Sequence, residues 1–424
     1  MYKIEINLKQ YFTLNKSIHW KDVLDKSQPE VFTLLDSNDG NFIFSWNKES
    51  ELIQNNFDKL KLKSFENKNK GKYIFGYIGY DATSSYYYSQ PVKSNSNDIL
   101  PESIFYVPEH VIIKKNNHYL YYGYEKNLIK IVNIEKSEIK IESNQNHVSN
   151  LESITFKNRY LENVSSIKKL IQNGDIYELN YCINFSKENI QLNVIDSFFN
   201  LKKNTQAPFS GILKYNNHYI ISASPERFFN KHKDFTISQP IKGTAARGAN
   251  DAEDKRIKLS LERDVKERAE NIMIVDLVRN DFSRFSHKKS VTVTELCELY
   301  TFKNIHQLIS TISSKIDQNI TFQELLHYIF PMGSMTGAPK KNAIKYINEF
   351  EDFKRNSYSG ALGFINPNNN MDFNVIIRSV AYNSNKGILS IGVGGAITHK
   401  SLPYSEYLEC FIKLNSIKNS LVSS

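Results

Sequence analysis

Cysteine is scarce in this chain of 424 residues. The three present, Cys182, Cys297 and Cys410, are odd in number and far apart. They fit neither a disulfide framework nor zinc-type spacing, and read as buried thiols of a reducing compartment. Long apolar runs are missing too. Nothing approaches the roughly 18 residues of a membrane span, and the N-terminal "MYKIEINLKQYF" lacks a signal-peptide core. A soluble, cytoplasmic protein is expected. No run of about five or six like charges occurs. The formal net charge is +9, with the lysines scattered among Asn, Ser and Glu. That argues against nucleic-acid binding and suits a mild field for a small anionic substrate. No internal repeats are found.

What is present is an ordinary globular composition, 40% hydrophobic and 12% aromatic. "ENKNKGK" and "KSNSND" read as surface loops. The polar region from Glu135 to Asn158 is the best boundary, giving an N-terminal part over 1–145 and a C-terminal part over 150–418. "VFTLLDS", "NFIFSW", "KYIFGYIGY" and "EHVIIKKNNHYLYYGY" read as strands, the last as a hairpin turning at "KKNN". Helical spacing of Tyr160, Val164, Ile167, Leu170 and Ile171 predicts a helix that Gly174 ends. Ile257, Leu261, Val265 and Ile272 predict one stripe on a second helix. "YSGALGFI", "MDFNVIIRSVAY" and "ILSIGVGGAI" read as an antiparallel meander. A last helix runs from about Pro403 to Leu421, with Ser401 as its cap. Strands and helices do not alternate regularly, so an α+β fold with mainly antiparallel sheet is expected.

Five places could carry chemistry. Glu267 and Glu270, like Glu406 and Glu409, are three apart and share a helix face. Four converging carboxylates call for a hard cation such as Mg²⁺; the plainer reading is two solvated faces, with Glu409 paired to Lys413. "FPMGSMTGAPKKNAIKYI" opens a helix and could hold an anion, but is no Walker A loop. Strand alternation puts Asp372, Asn374, Ile376 and Arg378 on one face, where Arg378 could grip a carboxylate beside the glycines of "GVGGA". Glu226, between Pro225 and apolar neighbours, could be a carboxyl of raised pKa and a general acid. Lys242 stands before a Gly-Thr turn in "QPIKGTAARG". Desolvated, it would be a neutral nucleophile; otherwise it is a surface charge.

Taken in order, "GDIYELNYC", "SPERFF", "PIKGTAARG", "KERAENIMIVDLVRND", "PMGSMTGAPK", "YSGALGF", "DFNVIIRS", "GVGGAI" and "PYSEYLEC" resemble the chorismate-utilising enzymes over about Leu151 to Leu414. "FTLLDSN" and "FGYIGYDA" resemble the N-terminal segment of the anthranilate and aminodeoxychorismate synthase branch. The resemblance implies large antiparallel sheets packed in a sandwich with helices outside. It implies Mg²⁺ held directly by Glu270 and Glu409 and through water by Glu267 and Glu406. Tyr358, Arg378 and the Gly394–Gly395 backbone match positions that hold the enolpyruvyl carboxylate of chorismate. Thr244 and Lys413 match other substrate contacts, and Glu226 the acid that protonates the leaving hydroxyl. Leu35 and Ser37 fall at the family's tryptophan site.

Lys242 in "PIKGT" resembles the aminodeoxychorismate branch, in which the lysine adds to C2 before ammonia displaces it. That implies a lowered Lys242 pKa and a role in 4-aminobenzoate and folate supply. Related anthranilate synthases have a small residue there. Water-adding relatives carry a lysine in the segment matching "IYELN", and aminating ones usually glutamine; here it is Glu178. A histidine common before the leucine of "HL" is replaced by Gln307, with His306 one residue earlier. No glutaminase signature is visible, so ammonia is expected from a separate glutamine amidotransferase subunit or from free ammonium. Two other functions stay open: anthranilate synthase component I, and a non-catalytic regulatory protein binding chorismate or tryptophan.

Overall fold

The structure is a computed structural model that describes residues 9–14, 17–37, 39–83, 87, 99–133, 151–302 and 305–421. The loop "KSNSND" and most of the expected boundary lie outside the described residues.

Two large antiparallel sheets form the fold. The 12-stranded sheet runs Gln10–Leu14, His118–Gly123, His110–Lys115, Phe42–Trp46, Val31–Asp36, Phe209–Tyr215, His218–Ser224, Ser379–Asn383, Ile388–Ile397, Glu178–Lys187, Gly337–Ala338, with Glu152–Ser153 beside Glu178–Lys187. The 10-stranded sheet runs Ile241–Ala246, Ile305–Lys315, Phe235–Gln239, Arg227–His232, Met371–Val375, Ala361–Ile365, Ile74–Ile78, Ser103–Val107, Ser50–Gln54, with Thr292–Thr301 beside Ile305–Lys315. Each sheet joins a block of strands from the N-terminal part to a block from the C-terminal part, where Val31–Asp36 pairs with Phe209–Tyr215 and Ile74–Ile78 pairs with Ala361–Ile365.

Leu35, Leu213 and Ile220 of the first sheet pack against Phe75, Tyr77, Ile104, Tyr106 and Leu362 of the second, so one apolar layer fills the space between them. The outer face of the first sheet is covered by helices including Lys157–Gln172, Val194–Thr205 and Pro403–Leu421. The second is backed by Lys59–Lys68, Val265–Ser283 and Phe322–Ile329. The α+β sandwich with external helices is what the sequence and the resemblance imply.

Several elements follow their local signals. The hairpin pairs Lys115 with His118 across Asn116, whose φ is 55°. The helix Lys157–Gln172 ends before Gly174, at φ 84°. The last helix spans Pro403–Leu421. Ser401 does not fill the expected capping role as read; its hydroxyl accepts from the Thr398 N–H at 3.1 Å.

Two expectations are corrected. The expected stripe crosses a helix break: Asp251–Glu262 ends and Val265–Ser283 begins, with the Asp264 carboxylate capping Lys266 and Glu267 N–H groups. The second helix therefore buries Glu270, Asn271, Ile274, Val275 and Val278, while Val265 is 75% exposed. The meander is also split. Met371–Val375 pairs with Ala361–Ile365 in one sheet, and Ser379–Asn383 pairs with Ile388–Ile397 in the other. The chain crosses between sheets at Arg378, whose φ is 47°. Arg378 thus does not continue the face of Asp372 and Asn374, and Asp372 is paired instead with Arg227 at 3.1 Å.

Candidate active site

Lys242 is aimed by a bulge, not a turn. Ile241 pairs with Ile309 and Thr244 with Gln307, so one strand has a residue more than its partner. Gly243 takes φ 84° at that point, where a side chain would be strained. A Cβ on Gly243 would also stand 3.2 Å from the Glu267 Cβ, so the bulge brings Lys242 to the helix carrying Glu267 and Glu270.

The Lys242 Nζ donates to Glu178 Oε1 at 3.0 Å, and the Glu178 side chain is only 1% exposed. Burial, the largest single influence, lowers the Lys242 pKa. Glu178, Glu270 and Glu226 together push it up and prevail, so it lies above its usual value. This overturns the expected lowering: a lone glycine-flanked lysine would lose its charge on burial, but this one is ringed by carboxylates.

Glu226 has the burial and the raised pKa expected of it. It is buried, it accepts from Ser334 Oγ at 2.6 Å, and burial raises its pKa to about 7 against the pull of Ser334 and Lys242. The loop "PMGSMTGAPK" thus supplies Ser334 to a carboxyl. Its lysine, Lys340, is used in a buried pair with Asp281 at 2.5 Å.

The two glutamate pairs come together. Lys266 feels Glu270, Glu406, Glu267 and Glu409 at once. Burial raises Glu270 to about 7 and also raises Glu267. Burial opposes ionisation of Glu409 as well, but Lys413 outweighs it and the pKa is lowered. Lys413 pairs with Glu409 at 2.7 Å and donates to the Gly394 carbonyl at 2.7 Å. The plainer Glu409–Lys413 pairing is therefore present, and the charges of both glutamate pairs act on Lys266. Gly395 faces this group: a Cβ there would lie 3.6 Å from Lys413 Nζ, 3.7 Å from Glu406 and 3.8 Å from Glu409. Among the described residues no three acidic, histidine or cysteine side chains stand as a ready metal cage. Even so, Glu270 Oε1 is buried with no hydrogen-bond partner, and an all-carboxylate donor set fits a hard divalent cation.

The remaining residues are placed less directly. Tyr358 lies against Gly392, where a Cβ would sit 2.3 Å from its ring, and its hydroxyl is 3.9 Å from Cys182 Sγ. Gly394 is pressed on Cys182 in the neighbouring strand. Arg378 is partly buried, burial alone lowers its pKa, and its guanidinium makes no hydrogen bond or ion pair among the described residues. A desolvated guanidinium of that kind suits a carboxylate ligand. Thr244 accepts from Gln307 Nε2 at 3.3 Å, and Gln307 Oε1 is buried without a partner. His306 points the other way, to Thr301 and Asp254, each at 3.0 Å. Leu35 belongs to the inter-sheet core, and Ser37 bonds to Asp39 and Asn41 in its own turn.

The residues matched by the family model for chorismate binding enzyme run from 23 to 419. The chain belongs to the chorismate binding enzyme family. Aminodeoxychorismate synthase component 1 of Escherichia coli is 34% identical over 273 residues, 64% of this chain and 60% of that one. Anthranilate synthase component 1 of Saccharolobus solfataricus is 30% identical over 368 residues, 85% and 83% of the two chains. The chloroplastic aminodeoxychorismate synthase of Arabidopsis thaliana is 34% identical over 269 residues, and the match spans only 29% of its length. Two solved structures share the fold: anthranilate synthase component I from Streptococcus pneumoniae, with TM-score 0.79 at 24% identity over 95% of this chain and 94% of that one, and the menaquinone-specific isochorismate synthase of Escherichia coli, with TM-score 0.79 at 14% identity over 98% and 94%.

In this chorismate binding enzyme, sequence reasoning missed the parts that hold the site rather than line it. Ser334, Lys266 and Arg355 were not singled out. Arg355 and Glu351 form a buried pair at 2.6 Å. Arg355 also reaches the carbonyls of Met335 and Asn180, and Glu351 takes the Cys182 N–H. The pair thereby ties the strand of Glu178 to the loop of Ser334. Glu351 and Arg355 are four apart but lie beyond the helix that ends at Phe350, so no local rule says that they pair or that they are buried.

Proposed function

We propose that this chain aminates chorismate, with ammonia supplied by a glutamine amidotransferase subunit, to give 4-amino-4-deoxychorismate for 4-aminobenzoate and folate synthesis. The observation that carries the reading is Lys242, aimed by its bulge into a group of carboxylates with Glu226 near neutrality. A lysine there is a nucleophile in place. Glu226, half protonated near pH 7, can give its proton to a departing 4-hydroxyl. Arg378, Tyr358 and the backbone at Gly394–Gly395 suit the enolpyruvyl carboxylate, with Thr244 and Lys413 as other substrate contacts. Glu267, Glu270, Glu406 and Glu409 would hold Mg²⁺. When bound, that ion supplies charge for the ring carboxylate and offsets the glutamates' pull on Lys242.

Lys242 forms a bond to C2 as the hydroxyl leaves C4 as water. Ammonia then attacks C4 and the lysine departs. Two displacements account for retention at C4. With chorismate and Mg²⁺ but no ammonium, the tryptic peptide containing Lys242 should gain the mass of chorismate less one water. An unmodified peptide after rapid quenching, under conditions that turn over when ammonium is added, contradicts the covalent route.

A second reading, anthranilate synthase component I, is favoured by the long match to the Saccharolobus solfataricus protein. It leaves the lysine without a task.

A further inference from the structure

Lys242 Nζ is held in an ion pair with Glu178 at 3.0 Å, and the amination reading, on which this inference rests, needs the amine neutral. Glu178, Glu270 and Glu226 raise its pKa, and Glu267 and Glu409 also feel its charge. Among these only Glu178 is hydrogen-bonded to it. The Glu178 side chain is enclosed, and its second oxygen, Oε2, is buried with no partner among the described residues. Among the described residues the Lys242 ammonium is the one group that donates to this carboxylate. Moving one proton across 3.0 Å turns that ion pair into a neutral amine and a neutral acid, and strands no buried charge. The backbone under Glu178 is well fixed. Tyr177 and Asn180 donate to the Ala338 and Thr336 carbonyls, and Gly337 is packed directly on the Glu178 carbonyl.

We propose that Glu178 is the proton acceptor that turns Lys242 into a nucleophile and returns the proton when the lysine is released. The proton passes from Nζ to Glu178 Oε1. The freed electron pair forms the N–C2 bond, the two ring double bonds shift, and C4–O breaks as Glu226 gives its proton to the departing water. An ammonium ion then loses a proton to the Glu226 carboxylate, and the ammonia bonds to C4. The double bonds shift back, C2–N breaks, and its electron pair returns to Nζ. Lys242 recovers its proton from Glu178. One ammonium enters, and one water and one protonated aminated product leave.

The test is ammonium-dependent product formation between pH 6 and 9 by the wild type, Glu178→Gln and Glu178→Asp, with adduct formation on Lys242 measured in parallel. In Glu178→Gln the proton must go to solvent. Its kcat should fall at least about tenfold at pH 7 and climb with pH up to about 7, then level off as Glu226 loses its acid form, with the KM for chorismate within about threefold. Glu178→Asp should recover part of the rate, and adduct formation should follow the same dependence. A Glu178→Gln enzyme with the wild-type rate and pH profile overturns the proposal. So does a faster one, the result expected if Glu178 merely holds the lysine charged. A wild type that forms no aminodeoxychorismate refutes the amination reading itself, and this inference with it.

Discussion

Lys242→Ala should cut aminodeoxychorismate formation by about 10³-fold or more, while the KM for chorismate changes by less than about fivefold. The lysine supplies a bond that exists only after binding, so its loss appears in kcat. Two features make the effect this large. Among the described residues no other lysine contacts the Glu178 carboxylate, and the bulge at Gly243 aims this position. The removal also leaves Glu178 buried with neither oxygen served, so the variant's melting temperature belongs beside its kinetics. A Lys242→Ala protein that folds and aminates chorismate at the wild-type rate would show that ammonia attacks without the protein's help.

Glu226→Gln should lower kcat by about 10²- to 10⁴-fold, the usual contribution of a positioned acid. The amide keeps the size and the Ser334 contact but cannot give up a proton. The sign of the pH effect follows from burial. Glu226 titrates near 7, so its acid form predominates below that pH and is lost above it. The wild-type rate should therefore fall as pH rises through about 7. That limb should vanish in Glu226→Gln, and a pH–rate profile with chorismate saturating checks both. A limb that persists in the variant belongs to another group, with Glu270, also raised to about 7, the first to examine.

Much of this site could be read from the chain because its signals are local. Glutamates three apart share a helix face wherever the helix lies, and a carboxyl between proline and two phenylalanines is apt to be buried. The burial of Glu226, each glutamate pair and the last helix followed from such rules, whereas the joining of the two pairs was implied only by the family resemblance. What could not be read depends on partners remote in sequence. The lysine was expected to lose its charge because burial acts on it alone. Glu178, Glu270 and Glu226, 64, 28 and 16 residues away, reverse the sign. The "turn" at Lys242 is a bulge because the strand Ile305–Lys315 is one residue short opposite it. The crossing at Arg378 splits a continuous apolar run between two sheets, and periodicity is the same on either side of it. Ser334, Lys266 and Arg355 are ordinary polar residues until their distant partners are known.

The central claim is the reaction, and identifying its product tests it most directly. The purified chain would be incubated with chorismate, Mg²⁺ and ammonium, and the products separated and identified by mass and ultraviolet spectrum. The account predicts 4-amino-4-deoxychorismate, with pyruvate retained on the ring. Anthranilate with released pyruvate, or isochorismate, would contradict it.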